Sequence, residues 1–226
     1  MTTIAADCPD RTPGGSRKRS PATTRITRPL LGYGVLAGPF YVTVSLAQAA
    51  TREGFDLRRH AWSLLSNGSL GWIQIANFIL TGLMVIAFAA GLRRATAAVW
   101  APRLIAVFGA GMIGAGIFRA DPGAGFPAGT PATTTVSWPG LLHFMIGGVG
   151  FLALTAACLA IGARYARSGE RGWAAYSRVT GVVFLAAFAG IASGSGTPAV
   201  ILSFVAAVIL VFAWLTMVAV RTYKSV

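Results

Sequence analysis

Six stretches of the chain stay apolar for about the length a bilayer requires, and this limits the fold more than any motif does. A hydrocarbon core ~30 Å thick takes about 20 residues of helix to cross. Within it the backbone must satisfy its own hydrogen bonds, which selects helices or closed barrels. The stretches run over Leu30–Ala50, Gly71–Leu92, Val99–Phe118, Gly140–Ala163, Trp173–Ser193 and Pro198–Val220. They predict an all-α, polytopic transmembrane six-helix bundle over residues 29–226. Composition agrees, since 11% of the 226 residues are charged, whereas a soluble domain carries about 25%. Too little charge is left to coat a water-facing globule. Trp72, Trp100, Trp138, Trp173 and Tyr223 stand at the edges of the stretches, where amphipathic rings suit the interface.

The formal net charge of +13 raises the question of nucleic acid. The cations lie in short clusters between apolar blocks, not along one face, so a nucleic-acid partner is not expected. They follow the positive-inside pattern instead. One side collects Arg11, Arg17, Lys18, Arg19, Arg25, Arg28, Arg93, Arg94, Arg103, Arg164, Arg167, Arg171, Arg178, Arg221 and Lys224; the other has Arg52, Arg58, Arg59 and Arg119. Fifteen against four predicts a multi-pass protein with both termini in the cytoplasm. Residues 1–28 are polar and hold no apolar run of signal-peptide length. They read as a disordered basic cytoplasmic tail that touches anionic headgroups. Cys8 and Cys158 lie in the tail and in a span, which implies no disulfide framework.

Gly109, Gly111 and Gly114 match the spacing of a dinucleotide-binding fingerprint. That motif needs a strand before it, a soluble amphipathic helix after it and an acidic residue about 20 positions on. Here the run stays apolar to Phe118, so the glycines are expected to pack a membrane helix. Gly34 with Gly38, and Gly190 with Gly194, form similar pairs that allow close helix approach. Pro39 is expected to kink the first span.

Polar side chains are costly in lipid, so where they gather is informative. Gln74, Asn77 and Thr81 share one face of the second span at i, i+3 and i+7. Gln48, Arg119, His143 and Ser193 fall near the same end of their spans. Two long loops, 51–70 and 119–140, join the spans at that end. In the first, Asp56–Asn67 reads as an interfacial helix with Leu57, Ala61, Leu64 and Leu65 on its apolar face. His60, Ser63 and Asn67 would then share the other side. Asp121 before Pro122 suits a turn, Arg119 suits snorkelling to headgroups, and Gln74 and Asn77 suit helix-to-helix hydrogen bonding. The alternative is that His60, Gln74, Asn77, Arg119, Asp121 and His143 converge on one outward-facing polar pocket.

Several of these residues sit in recognisable local strings: His60-Ala61-Trp62-Ser63-Leu64-Leu65-Ser66, Gly71-Trp72-Ile73-Gln74 with Asn77-Phe78, Asp121-Pro122 and Leu142-His143. On these strings the chain resembles the bacterial membrane proteins called domain of unknown function 998, over nearly all of residues 30–220. The resemblance implies a six-helix membrane protein and no defined activity.

Two functions remain. The first is a binding or transport-like module that takes a lipid headgroup or small polar molecule through Arg119, Asp121 and His143, above a floor of Gln74 and Asn77. The second is a membrane hydrolase or transferase with His143 as general base oriented by Asp121. No G-x-S-x-G nucleophile motif appears. Two histidines and one aspartate are thin for a metal site, which takes about three ligands, so no metal is expected. Only His143 could serve as an axial haem ligand within a span, where two are normally wanted, so no cofactor is expected. No Asp or Glu lies in a span, which disfavours proton-coupled transport. The lipid bilayer is the one partner the composition requires, and no feature specifies an oligomeric state.

Overall fold

The structure is a computed structural model that describes residues 21–131 and 135–226, with side chains from residue 25 onward. Six helices carry the chain: α1 Pro21–Thr51, α2 Gly71–Ala95, α3 Trp100–Ile117, α4 Trp138–Arg167, α5 Arg171–Ala192 and α6 Pro198–Lys224. All six are long and apolar enough to cross a membrane. The described residues contain no strand. The expected spans are therefore all present, and most run two to four residues further at one or both ends. α1 starts at Pro21, so residues 21–28 are helical instead of belonging to the tail. The remainder of the expected tail, residues 1–20, lies outside the described residues. Pro29 and Pro39 both fall inside α1.

Each helix packs on its neighbours in sequence, and α6 returns to pack on α1. The bundle is thus a closed ring of six. The links at 96–99, 168–170 and 193–197 are too short to carry the chain across the bundle, so successive helices run antiparallel. One end of the ring holds both termini and the links 96–99 and 168–170. The other, the loop end, holds residues 52–70, 118–131, 135–137 and 193–197.

Glycines set the spacing between several of these helices, because in lipid close van der Waals packing must do what the hydrophobic effect does in water. A Cβ on Gly109 would lie 2.7 Å from the Gly82 carbonyl oxygen, and one on Gly82 would lie 2.6 Å from that of Gly109. Gly111 and Gly150 bring α3 and α4 together in the same way. The fingerprint-like spacing in α3 is thus a packing surface. Gly38 admits the backbone of α6 at Phe212. Gly194 differs from its expected role. Its φ of +77° terminates α5, and nothing stands within 4 Å of its missing side chain.

The termini end is fastened by Arg221, which pairs with Glu170 and lies over the rings of Tyr165 and Trp173 at 5.0 and 4.9 Å. Deeper in, the Trp214 indole donates to Ser177 Oγ at 3.0 Å, joining α6 to α5.

Candidate functional site

The loop end is covered by a lid built from two loops. The first begins with a turn closed by Asp56, whose backbone carbonyl accepts from the Arg59 and His60 amides. Its carboxylate also accepts from the Arg58 amide at 2.8 Å. His60 Nδ1 accepts the Asp56 amide at 2.9 Å, so the ring proton sits on Nε2, which donates to the Ala124 carbonyl at 3.1 Å. Arg59 donates to the same carbonyl at 3.2 Å. Ala124 holds φ at +55°, a strained setting for a residue with a Cβ, and its carbonyl ties the second loop to the first. Only Trp62–Ser66 is helical in the first loop, as one short 3-10 segment. The expected interfacial helix over Asp56–Asn67 does not form. His60 and Asn67 turn inward to bond the second loop, and Trp62, Leu65 and Ser66 are buried.

Arg52 braces the lid from the end of α1. It donates to the carbonyls of Leu65 at 3.1 Å and Asn67 at 2.6 Å, and lies 5.3 Å from the centre of the Phe126 ring. Partial burial pulls its guanidinium below the usual pKa, since it leaves water for carbonyl partners and no carboxylate. Asn67 donates across to the Ala120 carbonyl at 3.0 Å. Phe126 is buried between Phe55 and His60.

Beneath the lid, polar residues of α1 and α2 bond one another, with the buried Gln48 Oε1 left without a partner among the described residues. Gln48 donates to Gln74 Oε1 at 2.7 Å, and Asn77 donates to the Tyr41 carbonyl at 3.2 Å and Ser45 Oγ at 3.1 Å. Thr81 donates to Asn77 Oδ1 at 3.3 Å. The shared face of Gln74, Asn77 and Thr81 is real, and it is spent on joining α2 to α1. This is the helix-joining role, and neither Gln74 nor Asn77 lines the open space described below.

Asp121 accepts from the Ser137 amide at 2.9 Å and from its hydroxyl, while Ser137 Oγ caps α4 by accepting the Gly140 amide at 3.2 Å. The Asp121 carboxylate also lies against the α-carbon of Gly140. Gly140 and His143 are three residues apart and so share a face of α4. Asp121 and His143 are therefore neighbours one helical turn apart, without a hydrogen bond between them. His143 Nδ1 instead donates to the carbonyls of Ala115 and Phe118, at 2.9 and 2.8 Å, at the end of α3. Those carbonyls are among the ones a helix end leaves without intrahelical donors. Arg119 is exposed and makes no hydrogen bond or ion pair among the described residues. The six expected site residues therefore divide three ways. His60 lies in the lid, Gln74 and Asn77 in the α1–α2 joint, and Asp121, His143 and Arg119 around the α3–α4 turn.

The space they surround is aromatic rather than polar. A cavity of about 110 Å³ is lined from all six helices and from Ala61, Trp62 and Ser63 of the lid. Its aromatic wall includes Tyr41, Phe108, Phe151, Phe184, Phe204 and Phe212, and His143 is the one expected site residue on it. Phe144 also lines it while remaining 42% exposed at the rim of the bundle. Sequence reasoning had no view of this wall, because a phenylalanine in a membrane span reads the same whether it faces lipid or a cavity. Trp62 was the available signal: an indole ring in the middle of a loop that connects two spans.

Among the described residues no group of three or more His, Cys, Asp or Glu is placed to hold a metal ion. No curated protein and no solved structure matches the chain. A family model described as "Protein of unknown function (DUF998)" matches residues 35–221, which takes in the lid, the α3–α4 turn, all of α2 to α5 and the greater part of α1 and α6. With the lid strings and the six-helix ring both inside that match, the chain belongs to the DUF998 family of membrane proteins.

Proposed function

We propose that the protein holds an apolar-chain ligand from the bilayer in the aromatic cavity beneath its lid, with the ligand's head near His143. The exposure of Phe144 carries this reading. A side chain that both lines the cavity and meets the bundle's surroundings marks a lateral way in from lipid between α4 and α5. A cavity on the order of 100–150 Å³ walled by apolar groups stays dry and accepts apolar guests. The lid is bound down by Arg52, His60 and Asn67, which favours entry from the side. Eleven Lys and Arg of the described residues at the termini end, with Arg11, Arg17, Lys18 and Arg19 before them in the sequence, against four at the loop end support cytoplasmic termini and an outward-facing lid, in a bacterial cytoplasmic membrane.

Gly147 provides the test. It lines the cavity, and nothing stands within 4 Å of a Cβ placed there. Gly147→Leu should fill the space without moving a helix. At ~0.8 kcal/mol per displaced methylene, losing three or four predicts roughly a hundredfold weaker binding. Mass spectrometry of lipids that co-purify with the wild type and the variant reads this directly. Equal occupancy in both would defeat the proposal.

A second reading, a hydrolase or transferase with His143 as base and Asp121 as its partner, draws on their adjacency at the start of α4. Asp121 is bonded to Ser137 and not to the imidazole, and His143 Nδ1 is held by the α3 carbonyls, so the aspartate does not orient the ring and binding accounts for more of the geometry.

A further inference from the structure

The termini end of the ring has an opening of its own, between α5 and α6. An open groove of about 360 Å³ is lined by Gly172, Trp173, Tyr176 and Met217. The Trp173 and Tyr176 rings meet edge-on with centres 6.1 Å apart, and Met217 is exposed. Nothing stands within 4 Å of a Cβ placed on Gly172, so the groove is open where α5 begins. Rings with an apolar body and a polar tip suit the boundary between hydrocarbon and headgroups. The charge around the groove is one-sided. Among the described residues Glu170 is the one acid at this end, and Arg221 takes it up. Met217, Arg221 and Lys224 follow at i, i+4 and i+7 and share one face of α6, and Arg221 lies over the Trp173 ring at 4.9 Å. Lys224 therefore stands one turn beyond the groove's wall, toward the headgroups. Arg171 directly precedes Gly172 on the other wall. Arg171 and Lys224 are both exposed and make no ion pair among the described residues. Two unanswered cations thus flank the polar end of an aromatic groove.

We infer that this groove holds an anionic phospholipid from the leaflet at the termini end. Its phosphate group sits between Arg171 and Lys224, and the upper part of one acyl chain lies along Trp173, Tyr176 and Met217. The lipid stays in its leaflet, so the groove needs to take only that part of the chain. A zwitterionic head fits less well, because its ammonium would meet the same two cations. The site lies at the opposite end of the helices from the lid, and it stands whatever the cavity holds.

Native mass spectrometry of the full chain provides the test, with phosphatidylglycerol and phosphatidylcholine of the same acyl chains offered in equal amounts. At low salt the wild type should retain phosphatidylglycerol roughly 10-fold better, as two cations near a headgroup predict, and the preference should shrink as salt is raised. Arg171→Gln with Lys224→Gln should lose most of it. Arg93→Gln with Arg94→Gln removes the same charge from exposed positions at the same end and should keep it. Gly172→Leu should displace the bound lipid by filling the groove, whereas Gly147→Leu, which fills the cavity, should leave it in place. Equal retention of the two lipids by the wild type would overturn the inference. An equal loss of preference in the two double variants would also overturn it, since net charge alone would then account for the effect. Retention unchanged by Gly172→Leu would take the lipid off the groove. A dimer that Gly172→Leu dissociates would give the groove to a second copy and overturn the lipid assignment.

Discussion

His60, expected among the site residues, is tied into the lid through both of its ring nitrogens. Its two ring nitrogens are both occupied, one by the Asp56 amide and the other by the Ala124 carbonyl. The second partner lies 64 residues away in the chain and is a backbone atom, so no pattern of side chains in the sequence announces it. His60→Ala should remove both bonds and leave buried groups unmet, costing about 1–3 kcal/mol. That loss is measurable as a lower thermal midpoint in nanodiscs. Ala124 carries the converse prediction. Its positive φ costs an L-residue roughly 1–2 kcal/mol, so Ala124→Gly should not destabilise the protein despite glycine's greater freedom when unfolded. A drop in the midpoint as large as that of His60→Ala would show that the strain is absent. Asp121→Ala should cost about 1 kcal/mol by loosening the cap of α4, with ligand occupancy retained. Loss of ligand at unchanged stability would move Asp121 from the cap to the site.

At the scale of helices, the sequence was most legible where one physical requirement dominates. Twenty apolar residues in lipid leave no option but a helix, which is why five of the spans were readable to within four residues, while α1 starts nine residues before its expected edge. The glycines were readable as packing positions but not ranked, because spacing does not say which glycine meets backbone and which meets open space. Gly109 and Gly147 illustrate the two cases. A methyl group on Gly109 would press on the Gly82 carbonyl at 2.7 Å, so α2 and α3 must part. Gly109→Ala should cost about 1–3 kcal/mol as overpacking and lower the yield of folded protein. Gly147→Ala meets nothing and should fold at wild-type yield. Equal yields for both variants would contradict the close α2–α3 contact. The lid was misread at this scale. Between Asp56 and Asn67 the apolar positions suit a helix, yet the inward bonds of His60 and Asn67 are worth more to the chain than helical continuity over so short a stretch.

The cavity belongs to the whole molecule, since it exists only where six helices and a lid meet, and its wall is drawn from residues as distant as Tyr41 and Phe212. No local string encodes such an enclosure, whereas a simple count of cations gives an expectation for the orientation of the bundle. That count leads to the last prediction. Ser69 lies exposed at the loop end and Ser168 exposed at the termini end, on opposite sides of the bilayer in an antiparallel ring of six. With Cys8 and Cys158 replaced, Ser69→Cys should react with a membrane-impermeant maleimide in intact cells. Ser168→Cys should react only after the membrane is opened. The charge bias makes this the favoured arrangement, because moving the cation-rich links to the outer face would carry most of the chain's Lys and Arg across the membrane. Labelling of Ser168→Cys in intact cells, with Ser69→Cys protected, would turn the lid toward the cytoplasm. The proposed route past Phe144 would then draw its ligand from the inner leaflet.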